Sequence, residues 1–242
     1  MVDALGERVR FYITVVEPKV FSSRAYLFGN WPPGGRSVRG FFQALAGFAD
    51  AHRAACAVIK RSCPDAQVGA SVNDLLCLPA AGPTSAVDGL LAAAEHATQD
   101  RLFRTRIADS SDWLGLNYYV QRTVRRGRFL DLGAERSDLG WNVYPEGITP
   151  LLLRLRRFAK PVYVTEFGLA DSADRFRHAY IDRTLFGIRQ AVEAGVDVRG
   201  AFYWSLLDNY EWDKGYWPRF GLVEVDRVTL ERRPRPGVTG SI

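Results

Sequence analysis

Two glutamates stand where apolar runs stop. Val9 to Val16 (VRFYITVV) delivers Glu17 and then Pro18, and Pro161 to Val164 (PVYV) delivers Thr165 and Glu166 before Phe167-Gly168. β-Branched and aromatic residues suit a covered, pleated strand, and Pro18 cannot continue a ladder. A carboxylate at a strand end gains nothing from burial alone. In parallel α/β folds that end faces the ligand. One reading of each glutamate is a cap on the following helix. The other is chemistry. Two carboxyls in different environments can divide the work of glycoside hydrolysis: one protonated to release an alcohol, the other ionised to attack the anomeric carbon.

The elements that must position them alternate. After the first strand, Val38 to Lys60 has an amphipathic helical pattern, and Gln67 to Asn73 is a second strand. Leu75 to Pro83 reads as a loop, and Ala86 to Arg104 as a helix. Asp112 to Val120 is a third strand. A basic, glycine-containing stretch and a loop at Trp141 to Gly147 precede a helix over Ile148 to Ala159. The Glu166 strand comes fourth. Asp171 to Gly195 is a helix, Val198 to Leu206 a fifth strand, and the tail turns rich in proline and glycine without a helix.

Strand, loop and helix in repetition is the sequence form of a parallel sheet with crossover helices. A TIM-type barrel and an open doubly wound sheet both fit. No G-x-G-x-x-G and no G-x-x-x-x-G-K-[ST] occurs, which weakens the nucleotide-binding sheet. The strand ends then gather Glu17, Asn73, Asn117, Tyr118, Tyr119, Glu166, Trp204, Glu211 and Trp212 on one face.

Composition narrows the classes. Of 242 residues, 47% are apolar and 24% charged, ordinary for a soluble globular protein, and the length allows one large domain or two small ones. The net charge is +5, and short arginine clusters at 125–128, 154–157 and 232–235 read as solvated helix faces. They are not interleaved with aromatics, so no nucleic-acid partner is expected. Cys56, Cys63 and Cys77 form no C-x-x-C pair, and His52, His96 and His178 lack ligand spacing, so no metal or other cofactor is expected. The N-terminus is charged where a signal peptide is apolar, and no run is long enough for a membrane span. A cytoplasmic setting with no membrane partner follows. Trp31, Trp113, Trp141 and Trp217 read as packing.

The chain resembles glycoside hydrolase family 1, the β-glucosidase/β-galactosidase family. TVVEP (residues 14–18) is similar to the family's T-F-N-E-P. WLGLNYY is similar to its sixth-strand motif, WNVYPEG to its Y-P-E-G, and residues 164–168 to its I-T-E-N-G. VRGAFYWSLLDNYEW and PRFGLVEVD resemble its eighth strand and final loop. The likeness runs to about Pro236. It implies a retaining mechanism with Glu17 as acid/base, Glu166 as nucleophile and Tyr119 bonded to the nucleophile. It also implies a sugar pocket lined by Asn117, Trp204, Glu211, Trp212 and Phe220, with a β-glycoside or oligosaccharide as substrate.

The same resemblance starts just before the family's fourth strand. It implies an α/β fold, a partial (β/α)8 barrel of about strands 4–8 forming a single catalytic domain over 1–242, without the family's Gln, His-Trp and Arg ligands. Val16 stands where the family has an asparagine, and Phe167 where it has another. Such an arc exposes two sheet edges, which would self-associate or pair with a chain supplying further strands. A catalytically silent remnant that at most binds sugar weakly is the alternative.

Overall fold

A computed structural model describes residues 2–80 and 85–239. Short α1 (Val2–Leu5) leads into β1 (Phe11–Val16), α2 (Pro18–Ser22) and the long α3 (Val38–Ser62). Then come β2 (Gln67–Asn73), β3 (Leu76–Pro79), α4 (Ser85–Gln99), α5 (Thr105–Ile107) and β4 (Trp113–Tyr118). The hairpin β5 (Gln121–Arg125) and β6 (Arg128–Leu130) precedes α6 (Ile148–Leu155), β7 (Val162–Phe167), α7 (Arg177–Glu193) and β8 (Val198–Tyr203). The chain closes with β9 (Val223–Val225), β10 (Arg232–Pro234) and α8 (Pro236–Thr239).

Five strands form one parallel sheet in the order β1-β2-β4-β7-β8, the five expected from the apolar runs. Helices cover its outer face. Leu116, Val162 and Val164 pack on Ile148, Leu151, Leu152 and Leu155 of α6 and on Tyr180 and Ala191 of α7. Val15, Ala70 and Val72 pack on Ala49 of α3 with Phe103 and Ile107. Each buried leucine there contributes about 1.5–3 kcal/mol. Helix α3 starts where Ser37 Oγ accepts from the Gly40 N–H at 3.0 Å, and it buries Phe41, Leu45, Ala49, His52, Cys56 and Ile59 at helical spacing.

The inner face is less evenly covered. Trp113, Tyr163 and Phe11 stack edge to face at its lower end, with centroids 5.2 and 5.7 Å apart. Every residue of the central strand β4 is buried. On the outer strands the same face lies open: Phe11 is 53% exposed on β1 and Phe202 59% on β8, with Ile13 and Val16 also exposed.

Several expectations need correction. The loop expected from Leu75 contains β3, which pairs with β5 in a second, three-stranded sheet; residues 81–84 lie outside the described residues. The basic stretch forms the β5–β6 hairpin, whose turn amides at Arg126 and Gly127 donate to Asp88. Helix α7 begins at Arg177 rather than Asp171, because the Asp171 carboxylate accepts from the amides of Phe176 and Arg177 and holds the intervening loop. The tail carries short α8, with the residues after Thr239 outside the described set.

The arginine clusters at 125–128 and 232–235 lie on strands, in a turn or just after a strand rather than on helix faces, and only the 154–157 cluster, with Arg156 and Arg157 exposed, is helical. Arg154 and Arg157 both pair with buried Asp100, and buried Arg235 pairs with buried Asp208 at 2.9 Å. Arg232 and Arg233 lie on strand β10. His52 is a core residue between Ser111 and Thr14, and burial lowers its pKa to about 4.

Two buried guanidinium groups tie the ends of the sheet. Arg104 meets Asp74, the residue after β2, through contacts of 2.8 Å to both carboxylate oxygens, and Asp100 at 3.2 Å. Arg177 donates to the carbonyls of Leu169, Asp171, Arg219 and Phe220, to the Tyr203 hydroxyl and to Asp174. It thus joins the loops that leave β7 and β8. Removing one member of a buried pair strands the other. Arg104→Met is expected to cost about 3–5 kcal/mol in urea unfolding. A loss below about 1 kcal/mol, the range of an exposed pair, would show that Asp74 does not need this partner.

Candidate active site

Both glutamates come off a β-bulge. On β1, Ile13 pairs with Gly69 and Val16 with Ser71, so three steps on β1 match two on β2. On β7, Val164 pairs with Leu116 and Glu166 with Asn117, so two steps match one on β4. An extra residue twists a strand end and re-aims the next side chain. Glu17 also takes a left-handed backbone, with φ 50° and ψ 50°. That conformation costs a non-glycine residue roughly 1–3 kcal/mol and occurs where surrounding contacts over-determine it.

Those contacts exclude the helix-cap reading. Glu17 precedes α2, yet its side chain makes no capping bond. Its Oε1 instead accepts from Asn117 Nδ2 at 2.9 Å and from Asn73 Nδ2 at 3.2 Å. Glu166 caps nothing, since α7 starts eleven residues later. Its Oε2 accepts from the Tyr119 hydroxyl at 2.7 Å. Tyr119 is pinned by an aromatic trio, with Trp141 and Phe220 both 6.1 Å away, centroid to centroid. Gly168 lets the Glu166 loop meet the end of β8: a Cβ there would stand 2.0 Å from the Trp204 carbonyl oxygen.

Burial disfavours the charged form of all three carboxyls at this end. Burial raises the pKa of Glu17, while Asn117 and Asn73 oppose the rise. Burial takes Glu166 from near 4.5 up to about 7; Tyr119 and Asn117 oppose this, and the charges of Glu17 and Glu211 add to it. Glu211 is raised by burial and then by Glu17 and Asp213, with the Trp204 side chain opposing. The Tyr119 phenol is pushed well above its ordinary range, first by burial and then by Glu166 and Glu17, so it stays a donor. Because two amide N–H groups occupy Glu17 Oε1, the proton of this acid belongs on Oε2.

Glu17, Asn73, Asn117, Tyr119, Glu166, Glu211, Trp204 and Phe220 therefore form one connected site. Asn117 does not line open space. It is fully buried and its amide is used by Glu17, Ser71 and Thr165. Phe220 is 3% exposed and packs on Tyr119 rather than standing free. Trp212 is 66% exposed and lies against Trp31, centroids 5.7 Å apart. Trp31 and Trp141, read as packing from the sequence, belong to this end of the sheet. Neither lies at a strand end, although Trp141 opens the WNVYPEG stretch. Among the described residues no group of three His, Cys, Asp or Glu side chains is arranged to hold a metal ion, and no helix is long and apolar enough to cross a membrane.

The protonated form of Glu166 is the one favoured by folding. Its contribution to stability is full below about 4.5 and is lost as pH rises through about 7. Thermal stability of the wild type should decline across that window. Glu166→Gln should flatten the decline and raise Tm at pH 8 by about 2–4 °C for each kcal/mol recovered. An unchanged pH profile in the variant would show that Glu166 is not held protonated.

Known proteins share this arrangement of elements. The family model described as Glycosyl hydrolase family 1 matches residues 1–103 and 93–238. The beta-galactosidase of Pyrococcus woesei is 29% identical over 95% of this chain and 56% of its own length. The crystal structure of a hyperthermophilic beta-glucosidase from Pyrococcus furiosus superposes with a TM-score of 0.87 at 32% identity, over 99% of this chain and 54% of that one. The beta-glucosidase from Thermotoga maritima in complex with glucoimidazole gives 0.87 at 27% identity, over 98% and 63%. The chain thus spans about half the length of the curated relatives it matches, and its sheet is the corresponding arc of their barrel.

Proposed function

Because the chain belongs to glycosyl hydrolase family 1, we propose that it is a retaining β-glycosidase of β-glucosidase type, with one catalytic domain acting on terminal β-D-glycosides. The observation that carries the reading is the split environment of two strand-end carboxyls. Glu17 Oε1 is covered by two amides, leaving Oε2 to hold a proton, while Glu166 Oε2 accepts from the Tyr119 hydroxyl. Glu166 Oε1 attacks the anomeric carbon while Glu17 Oε2 protonates the departing oxygen. A water molecule, deprotonated by Glu17, then releases the sugar with its configuration retained. Trp204, Glu211, Trp212 and Phe220 would surround the sugar, with Asn117 acting on it through Glu17. The Thermotoga maritima relative holds glucoimidazole, which supports a glycoside substrate here. Three unpaired thiols support a reducing, cytoplasmic setting.

One observation favours the silent remnant that at most binds sugar weakly. A nucleophile must be ionised, yet Glu166 sits at about 7. Among the described residues, none of the leading influences on Glu17, Glu166 or Glu211 is a Lys or Arg.

Hydrolysis of aryl β-glucosides decides between them. Glu166→Ala should abolish turnover. Glu17→Gln should lower it by about 10²–10⁴-fold on a poorly leaving alkoxide and far less on an activated nitrophenolate, which needs no proton. Wild-type turnover no greater than that of Glu166→Ala supports the remnant.

The exposed inner faces of β1 and β8 support association, either with a second copy or with a chain supplying further strands. Size-exclusion chromatography with light scattering should show a mass above 27.1 kDa. A stable monomer that stays soluble on concentration would overturn this part.

A further inference from the structure

Three oxygens meet behind Glu17. Ser71 Oγ, on β2, lies 2.7 Å from Asn117 Oδ1. Thr165 Oγ1, the bulge residue of β7, lies 2.7 Å from the same oxygen. The two hydroxyls are 2.9 Å apart. They meet across the intervening strand β4, where the residue paired with Ser71 is Gly115. A Cβ at Gly115 would stand 2.8 Å from Ser71 Cα and 3.0 Å from Thr165 Oγ1, so any larger residue would part the pair.

Glu17 decides which way the Asn117 amide lies, and the triangle holds its oxygen there. The triangle has two hydroxyl protons and one amide oxygen that has none. Two protons cannot serve three contacts, so one contact goes without in any arrangement, and two would if neither proton pointed to Asn117 Oδ1. At least one proton therefore points to Asn117 Oδ1, and the other points there or to the neighbouring hydroxyl. In either arrangement the amide NH2 is turned toward the carboxyls. If it were flipped, its oxygen would sit about where Nδ2 now lies, 2.9 Å from Glu17 Oε1, acceptor against acceptor.

We propose that Ser71 and Thr165 are positioning residues: together they hold the Asn117 amide oxygen, and through it they keep Glu17 and Glu166 supplied with a hydrogen-bond donor. Neither hydroxyl bonds a carboxylate itself. As a statement about catalysis this rests on the glycosidase reading; as a statement about the two carboxyls it does not.

The test follows the carboxyls directly. Glu17 is faced by Asn73 on β2, Asn117 and Tyr119 on and after β4, Glu166 on β7 and Glu211 on the loop after β8. Full-length chain labelled with ¹³C at the glutamate side-chain carboxyl is titrated by NMR, with Glu17, Glu166 and Glu211 assigned through their Gln variants. Thr165→Val keeps the side-chain shape and removes the hydroxyl, and Ser71→Ala removes the other. Each should raise the midpoints of Glu17 and Glu166, by up to about one pH unit when both are combined, the size of one charge-assisted hydrogen bond. Glu211, on which Asn117 is not a leading influence, should stay in place. Thr165→Ser should restore the wild-type midpoints.

Unmoved Glu17 and Glu166 midpoints in both single variants would overturn the proposal. So would a shift that Glu211 shares, because that is general loosening of the site. If the double variant does not fold, the single variants carry the test. Hydrolysis measured on the same samples keeps the two readings apart. Shifted midpoints in a chain without turnover would sink the glycosidase reading and leave the positioning role standing. Turnover with unshifted midpoints would do the reverse.

Discussion

A carboxylate taken out of water has to be given donors or given up as an anion. Three such groups, Glu17, Glu166 and Glu211, are raised by burial at one end of the sheet, and much around them serves that requirement. Asn73 and Asn117 attend Glu17, and Tyr119 attends Glu166. The donors are themselves held. Tyr119 is wedged between Trp141 and Phe220. The loop bearing Phe220 is fastened by the guanidinium of Arg177, which also grips the loop that follows Glu166. Charge at the centre thus dictates side chains several contacts away, including ones with no contact to a carboxylate.

The parallel sheet makes that arrangement possible. Strands running the same way bring their C-terminal ends together, so residues far apart in sequence meet on one rim. The bulges on β1 and β7 complete the work, because a regular strand would aim its next side chain along the pleat. The outer face is sealed by α3, α6 and α7, while the inner faces of β1 and β8 stay open. The site and the incompletely covered apolar surface are therefore two sides of the same geometry.

Much of this was legible in the residues. The strands announced themselves as apolar runs that stop at Pro18 or at Phe167-Gly168, and each glutamate stood at such a stop. The alternation of strand and helix was equally plain, since amphipathic periodicity and short apolar runs arise from burial itself. Other features depend on contacts that no local pattern encodes. The bulges need the partner strand for their definition. Helix α7 starts at Arg177 because the Asp171 side chain reaches forward to its amides. Strand β3 is visible only through its pairing with β5. Arg154 and Arg235 looked like surface charge until Asp100 and Asp208 appeared as their partners. Asn117 was read as a pocket residue, and its full burial follows from the hydroxyls of Ser71 and Thr165 on flanking strands.

The bond between Asn117 and Glu17 closes a span of 100 residues, whereas that between Tyr119 and Glu166 closes 47. Loop-closure entropy grows with span, and long-range contacts form after shorter ones have narrowed the ensemble. Strand β1, like β8, is an edge strand with one neighbour and an exposed inner face. The Glu17 contact should therefore form late, and β1 is one of two edge strands at which local opening can begin. A chain opened at β1 would keep Glu166 with its phenol while Glu17 swung away. The lifetime of the complete pair then depends on how firmly the first strand stays docked.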